Sequence, residues 1–406
     1  MGIVHQLDYA NILASFSIIK QFEFLYSGVL YLFSGDGWKN LVMFFIGMLL
    51  IYLALAKDFE PALLMPMGFG AILVNLPFSG AINQMNDSLG YEIPGIIDWL
   101  FQVGIEASEA MPLLLFIGIG AMIDFGPLLS NPKMLLFGGA AQFGIFLTVL
   151  VASFIFPDFK DAAAIGVIGA ADGPTAILVS QIFKSNYMGA IAVAAYSYMA
   201  LVPTIQPIAI KMVTTQKERR IRMSYSPQSI SRRTRILFPI IVMIISGLVA
   251  PMSVSLVGML MFGNLLRECL KLDSLSQTAQ TALANLITIL LGITIASSMK
   301  ADKFVTLGTL VIMLLGLVAF VFDTIGGVMF AKFMNLFLPE GKKINPMVGG
   351  AGISAFPMSA RVIQKMALKE DNQNHLLMHA VGANVAGQIG SVVAGGIILT
   401  VVPGLM

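Results

Sequence analysis

Apolar runs of bilayer-crossing length recur along almost the whole sequence, at 40–56, 61–77, 110–123, 134–156, 187–210, 236–262, 279–299, 304–330 and 376–403. A spanning helix takes about 20 mostly apolar residues. Inside hydrocarbon every backbone N–H and C=O must also be satisfied by the protein itself. Several runs are short or cut by Gly and Pro, so the expected fold is an all-α polytopic membrane protein with about nine to twelve transmembrane or half-spanning helices. Composition agrees. Hydrophobic residues make up 57% of the chain and charged residues 11%, whereas a soluble domain carries about a quarter charged residues. No soluble domain is visible. A net charge of +2 without a basic-aromatic pattern points to no nucleic-acid partner, and the single Cys269 allows no internal disulfide. The first residues do not read as a cleaved secretory signal, because His5, Asp8, Lys20 and Glu23 interrupt the apolar run.

The longest polar stretch, 211–235, carries Lys217, Arg219, Arg220, Arg222 and Arg235 among its basic residues, against Glu218 as its acid. A short basic loop belongs on the cytoplasmic side; topology alone explains its charge, and a docking surface for a soluble partner is the other reading. Residues 1–39 mix aromatics with Lys, Asp and Gly and read as an interfacial, amphipathic segment or an oligomer contact. The stretch 78–109 is also partly polar and is expected outside the bilayer or re-entrant. The organisation is therefore 1–39, a first membrane repeat over 40–210, the basic cytoplasmic loop 211–235, and a second membrane repeat over 236–406.

The repeat rests on the order of features rather than on identities. GIGAMIDFGPLL runs from a small-residue helix end through Asp124 into a new apolar helix, and the polar break GAADGPTAI follows at 169–177. ITIASSMKADKF does the same through Asp302, followed by the break GGAGISAFPMSARV at 349–362. Each half thus holds one broken helix. A break in hydrocarbon leaves backbone groups unpaired at several kcal/mol each, so it persists only where protein or a water-filled cavity surrounds it. The freed carbonyls suit a hard cation such as sodium, and the start of the next half-helix suits an anion.

Asp172 lies in the first break. Gly173 is expected to permit an unusual backbone angle there, and Pro174 to open the following helix. An intramembrane carboxylate is a functional candidate; the competing reading is a helix cap satisfied by its own backbone. Asp124 reads as a cap, and Asp323 as either buried or near an interface. In the second break Ser354 offers a neutral oxygen, Asn345 precedes Pro346, and Arg361 follows Ser354 by about two helical turns. That arginine either snorkels to the interface or binds an anion. Asn384, in a helix of small residues, needs hydrogen-bond partners and is a ligand candidate. Tyr196 and Tyr198 are ambiguous, since buried tyrosines are often packed aromatics with a satisfied hydroxyl. His5, His375 and His379 form no persuasive transition-metal set. No phosphate-binding GxxxxGK[ST] loop and no GxSxG occurs, so a pump here draws on a gradient or on chemistry delivered by another subunit.

The segments GIGAMIDFGPLLSNPK, GAADGPTAI, AAYSYMALVPTIQP, MLMFGNLLRE, NPMVGGAGISAFPMSARV and LLMHAVGANVAGQIGS resemble the β-subunit of the sodium-pumping biotin-dependent decarboxylases, from about residue 40 to the end. That family serves oxaloacetate, methylmalonyl-CoA, glutaconyl-CoA and malonate decarboxylation. The resemblance implies a carboxybiotin decarboxylase, a translocase subunit of the bacterial inner membrane that exports sodium while a proton is consumed. It also implies a soluble carboxyltransferase subunit, a separate biotin carrier subunit that supplies carboxybiotin, and a small membrane-anchored subunit. A homo-oligomer is expected, since one half must move against a fixed scaffold. Carried over by motif, Asp172, Asn345, Gly349, Ser354 and Asn384 would hold sodium. Arg361 would bind the carboxylate of carboxybiotin, and Tyr198 would relay the proton. A sodium-coupled carrier of a small organic anion is the alternative, because its broken helices would give the same pattern.

Overall fold

The computed structural model describes residues 26–57, 61–86, 90–107, 109–225 and 229–405. Residues 1–25, most of the expected interfacial segment, lie outside them. Among the described residues, five helices are long and apolar enough to cross a membrane, or seven if each of two sharply bent helix pairs is one span. The only sheet among them is a two-stranded hairpin of β1 (Gln84–Asn86) and β2 (Tyr91–Ile93). The architecture is all-α and polytopic.

Small residues set the helix packing. Helix α1 (Gly37–Lys57) meets α2 (Pro61–Val74) where a Cβ on Gly47 would stand 2.7 Å from the Gly68 carbonyl oxygen. After α3 (Ile96–Phe101), helix α4 (Ala110–Met122) continues at a 65° bend. Helices α5 (Leu135–Ala141) and α6 (Phe143–Ser153) form one span with a break at Gln142. Then come α7 (Phe159–Gly166), a 3-10 turn Val167–Ala170, α8 (Gly173–Ile182), and α9 (Met188–Val213), which bends by 72° around residue 200.

The second half holds α10 (Arg232–Val249), α11 (Val254–Glu268) and α12 (Ala284–Ile295). They are followed by α13 (Leu307–Phe337), α14 (Pro346–Gly350), α15 (Met358–Glu370) and α16 (Leu377–Leu405). Each of the two polar breaks thus lies between a preceding long helix and a following one, α9 after the first and α16 after the second.

Polar contacts gather into two seams at opposite ends of the helices. One seam contains the basic loop. Arg235 pairs with Asp124 and Glu268, Arg219 with Glu370, Arg222 with Asp371, and Lys332 with Glu218. This is the inner seam, on the side where the positive-inside rule expects a basic loop. The other ties the Asn75 side chain to the Met299 carbonyl and the Ala301 N–H, and pairs Lys300 with Asp98 at 2.9 Å. Asp98, within the segment 78–109, belongs to this outer seam. Helix α10 starts at the inner seam, and its 18 residues rise about 27 Å toward the other.

Traced against these seams, the two breaks become a pair of re-entrant hairpins. The first enters and leaves at the outer side: near the start of α7 the Asp161 carboxylate accepts from Ser185 Oγ at 2.6 Å and from the Asn186 N–H at 3.1 Å, just beyond α8. The second enters and leaves at the inner seam. The Asn345 amide donates to the carbonyls of Arg219 and Ile221 before α14, and Glu370 pairs with Arg219 at the end of α15. Their tips meet inside the protein, where the Ser354 N–H donates to the Ala170 carbonyl at 3.1 Å. Close backbone approach makes this possible. Gly327 on α13 lies against Gly349 on α14, and Gly387 on α16 against the Gly352 carbonyl.

Candidate functional site

At the tip of the outer hairpin the chain turns through Ala171, whose backbone is left-handed (φ 51°, ψ 44°), into Asp172, the N-cap of α8. The residue with the unusual angle is Ala171, not Gly173. What Gly173 supplies is room, because a Cβ there would overlap the Tyr196 ring. Pro174 sits in the first turn, as its fixed φ favours.

Asp172 is 5% exposed and does more than cap a helix. Its Oδ1 accepts from the Thr175 N–H at 3.4 Å. Its Oδ2 accepts from three hydroxyls: Thr175 at 2.8 Å, Ser391 at 2.7 Å and Ser354 at 3.3 Å. Ser391 and Ser354 are 3.0 Å apart. One carboxylate oxygen thus joins the outer hairpin, the inner hairpin and α16. Asn384, fully buried on α16, donates its amide to the Ile353 carbonyl at 2.6 Å, and its Oδ1 has no partner among the described residues. The Asn384 amide binds the carbonyl next to Ser354 without touching Asp172, and the cluster holds one anionic group and three hydroxyls, all hard oxygen donors. That is the chemistry of a site for a hard monovalent cation.

The other candidates stand elsewhere. Asn345 caps α14, accepting from the Met347 N–H at 3.0 Å and donating at 2.8 Å to both loop carbonyls. No hydrogen bond joins it to Asp172. Gly349 is the point of close contact with Gly327. Tyr198 donates its hydroxyl to the Met313 carbonyl on α13, and its ring packs on Gly316. Arg361 is exposed on α15. Residues 351–357 are turns and extended chain, so Arg361 does not stand two helical turns beyond Ser354; α15 begins only at Met358 because Pro357 lacks the N–H that would continue a helix through the break. Asp323 proves fully buried: its Oδ1 accepts from the Ile145 N–H at 3.0 Å where α6 starts after the Gln142 break. Asp124 accepts from the Gly126 N–H and faces Arg235, as a helix-end acid would.

Sequence reasoning missed Thr175 and Ser391. Both carried a signal. Thr175 is three residues after the N-cap Asp172, and Ser391 is seven after Asn384, on the same face of a helix.

Comparison with known proteins now bears on this arrangement. Residues 39–402 match the family model described as the Na+-transporting oxaloacetate decarboxylase beta subunit. The chain is 47% identical over 388 residues to the methylmalonyl-CoA decarboxylase subunit beta of Propionigenium modestum, covering 91% of this chain and 96% of that one. It is 47% identical to the glutaconyl-CoA decarboxylase subunit beta of Acidaminococcus fermentans (90% and 94% covered). It is 43% identical to the oxaloacetate decarboxylase beta chain of Klebsiella pneumoniae (92% and 96%). With an all-helical polytopic fold and an oxygen-lined carboxylate at its centre, this chain belongs to the beta-subunit family of the Na+-transporting decarboxylases.

Proposed function

We propose that this subunit binds sodium at Asp172 and uses decarboxylation of carboxybiotin to drive that ion out of the cell. The observation that carries the reading is the Asp172 Oδ2 atom, shared by hydroxyls from α8, the inner hairpin and α16. An ion held there touches both hairpins, one opening from each side. Small relative movement of the hairpins would then change the side from which it is reached. Ligands shift such an equilibrium only through different affinities for its two states. An ion that completes the cluster in one state and not in the other meets that condition.

Thr175, Ser354 and Ser391 would turn their lone pairs from each other to the cation, with Asp172 neutralising it and the Asn384 Oδ1 as a further ligand. Asn345 and Gly349 act by position in this reading, holding the inner hairpin to the basic loop and to α13. Arg361, the exposed cation nearest the inner tip on α15, would bind the carboxylate of carboxybiotin. Decarboxylation releases CO₂ and leaves a ureido nitrogen that takes up one proton. Tyr198 can serve as relay only after its bond to the Met313 carbonyl opens.

The relatives bear names for three different acids at 43–47% identity over nearly their whole length. A membrane subunit that meets only carboxybiotin accounts for this, since the acid is handled by a soluble carboxyltransferase and the carboxyl group arrives on a biotin carrier. A small membrane-anchored subunit and further copies of this chain complete the assembly we infer, in a bacterial inner membrane. The test is decarboxylation of carrier-bound carboxybiotin by membranes containing this chain, with and without sodium. Sodium-stimulated turnover that is lost in Asp172→Asn supports the reading. No turnover at any sodium concentration, together with sodium-driven uptake of an organic anion, assigns the chain to secondary transport.

A further inference from the structure

Helix α15 leads from the inner hairpin tip back to the inner seam, and it is strongly two-faced. Ser359, Ala360, Val362, Ile363, Met366 and Ala367 are buried. The opposite face exposes Arg361, Lys365 and Lys369 at i, i+4 and i+8, with Leu368 beside them. Residues at that spacing stand above one another on a helix, so the three cations form a row about 12 Å long. Among the described residues, none of the three side chains has a hydrogen bond or an ion pair.

Two acids lie at the end of this helix, and both are taken. Glu370 pairs with Arg219 at 2.7 Å and Asp371 with Arg222 at 2.6 Å. The Arg222 guanidinium bonded to Asp371 holds that carboxyl below the usual range, so the pair persists through neutral pH. The basic loop thus neutralises the carboxylates that would otherwise quench the row. Snorkelling explains Lys369, at the inner-seam end. It explains Arg361 less well, because nine residues separate Arg361 from Glu370 and place it about 13 Å deeper.

We propose that Arg361, Lys365 and Lys369 form a cationic track along which the anionic carboxybiotin group, on the flexible arm of its carrier, moves from the cytoplasmic surface to the hairpin tip. Lys365 and Lys369 are positioning residues: they raise the local concentration of the anion and hand it to Arg361. This rests on the carboxybiotin reading above and adds the route and two residues to it. A row of like charges attracts a carboxylate at every step without binding it tightly at any one, which is what transit requires.

The experiment compares the wild type with Lys365→Gln, Lys369→Gln and the double variant in the assembled complex, varying the concentration of carrier-bound carboxybiotin. The double variant is expected to raise KM about tenfold with kcat retained, and to flatten the dependence of kcat/KM on ionic strength. Lys365→Arg should retain the wild-type KM. Sodium half-saturation should not move, since neither lysine touches the Asp172 cluster. An unchanged KM with unchanged salt dependence, the result that merely snorkelling lysines give, overturns the proposal. So does a fall in kcat with altered sodium half-saturation, which marks a structural defect. Absence of any carboxybiotin turnover in the wild type removes the carboxybiotin reading itself and is distinct from both.

Discussion

Ser391 is the residue whose role is sharpest. Its hydroxyl donates to Asp172 Oδ2 at 2.7 Å and lies within reach of the Ser354 hydroxyl and the Gln388 carbonyl. Ser391→Ala removes one of the oxygens proposed to hold the ion, so it should weaken sodium binding roughly tenfold or more, measured as the half-saturating sodium concentration for decarboxylation. Ser391→Thr keeps the hydroxyl and should recover much of it. Gly173 makes a different demand. A Cβ there overlaps the Tyr196 ring, whereas one on Gly139 meets nothing within 4 Å. Gly173→Ala should therefore cost on the order of 1–3 kcal/mol of stability, and Gly139→Ala close to none, in thermal unfolding of the detergent-solubilised protein. Asp323 holds the start of α6 through its bond to the Ile145 N–H. Asp323→Asn retains that acceptor and Asp323→Leu does not, so the leucine variant should be the less stable by about 1–3 kcal/mol.

Among the elements, the two hairpin tips carry the site, and their conformations were only partly legible. The Gly and Pro in GAADGPTAI and GGAGISAFPMSARV marked where a helix is expected to break, because Gly is a poor helix former and Pro lacks the N–H that continues the ladder. They did not show which residue bends the chain. Composition favours Gly173, yet Ala171 takes the left-handed turn, and Gly173 instead leaves room for the Tyr196 ring. An alanine in that region costs about 1–2 kcal/mol relative to a residue without a Cβ. Ala171→Gly should therefore leave stability unchanged or raised, and Ala171→Val should lower it, in the same unfolding assay. Arg361 shows the same limit. Counting residues from Ser354 assumed a continuous helix, and the turns over 351–357 removed that assumption.

For the whole molecule the two seams set the topology, and they make the hairpins enter from opposite sides. Single cysteines placed in a Cys269→Ser background test this directly. A cysteine at Ser185 should react with an impermeant thiol reagent only from outside, and one at Lys369 only from the cytoplasm. Labelling of both from one side would refute the opposed arrangement of the hairpins. The apolar runs, the basic loop at 211–235 and the two polar breaks stood in the sequence, because lipid solvation, charge sidedness and backbone satisfaction act locally and leave a local trace. The meeting of the tips did not, because it depends on Gly349 against Gly327 and Gly387 against Gly352, contacts between segments far apart in the chain. By itself the sequence determined that this protein is a bundle of membrane helices with a carboxylate in one of two broken segments. Only the tertiary structure decided that Thr175 and Ser391 complete the Asp172 cluster while Asn345 caps a helix at the inner seam, since a ligand set is made by proximity and no local pattern encodes proximity.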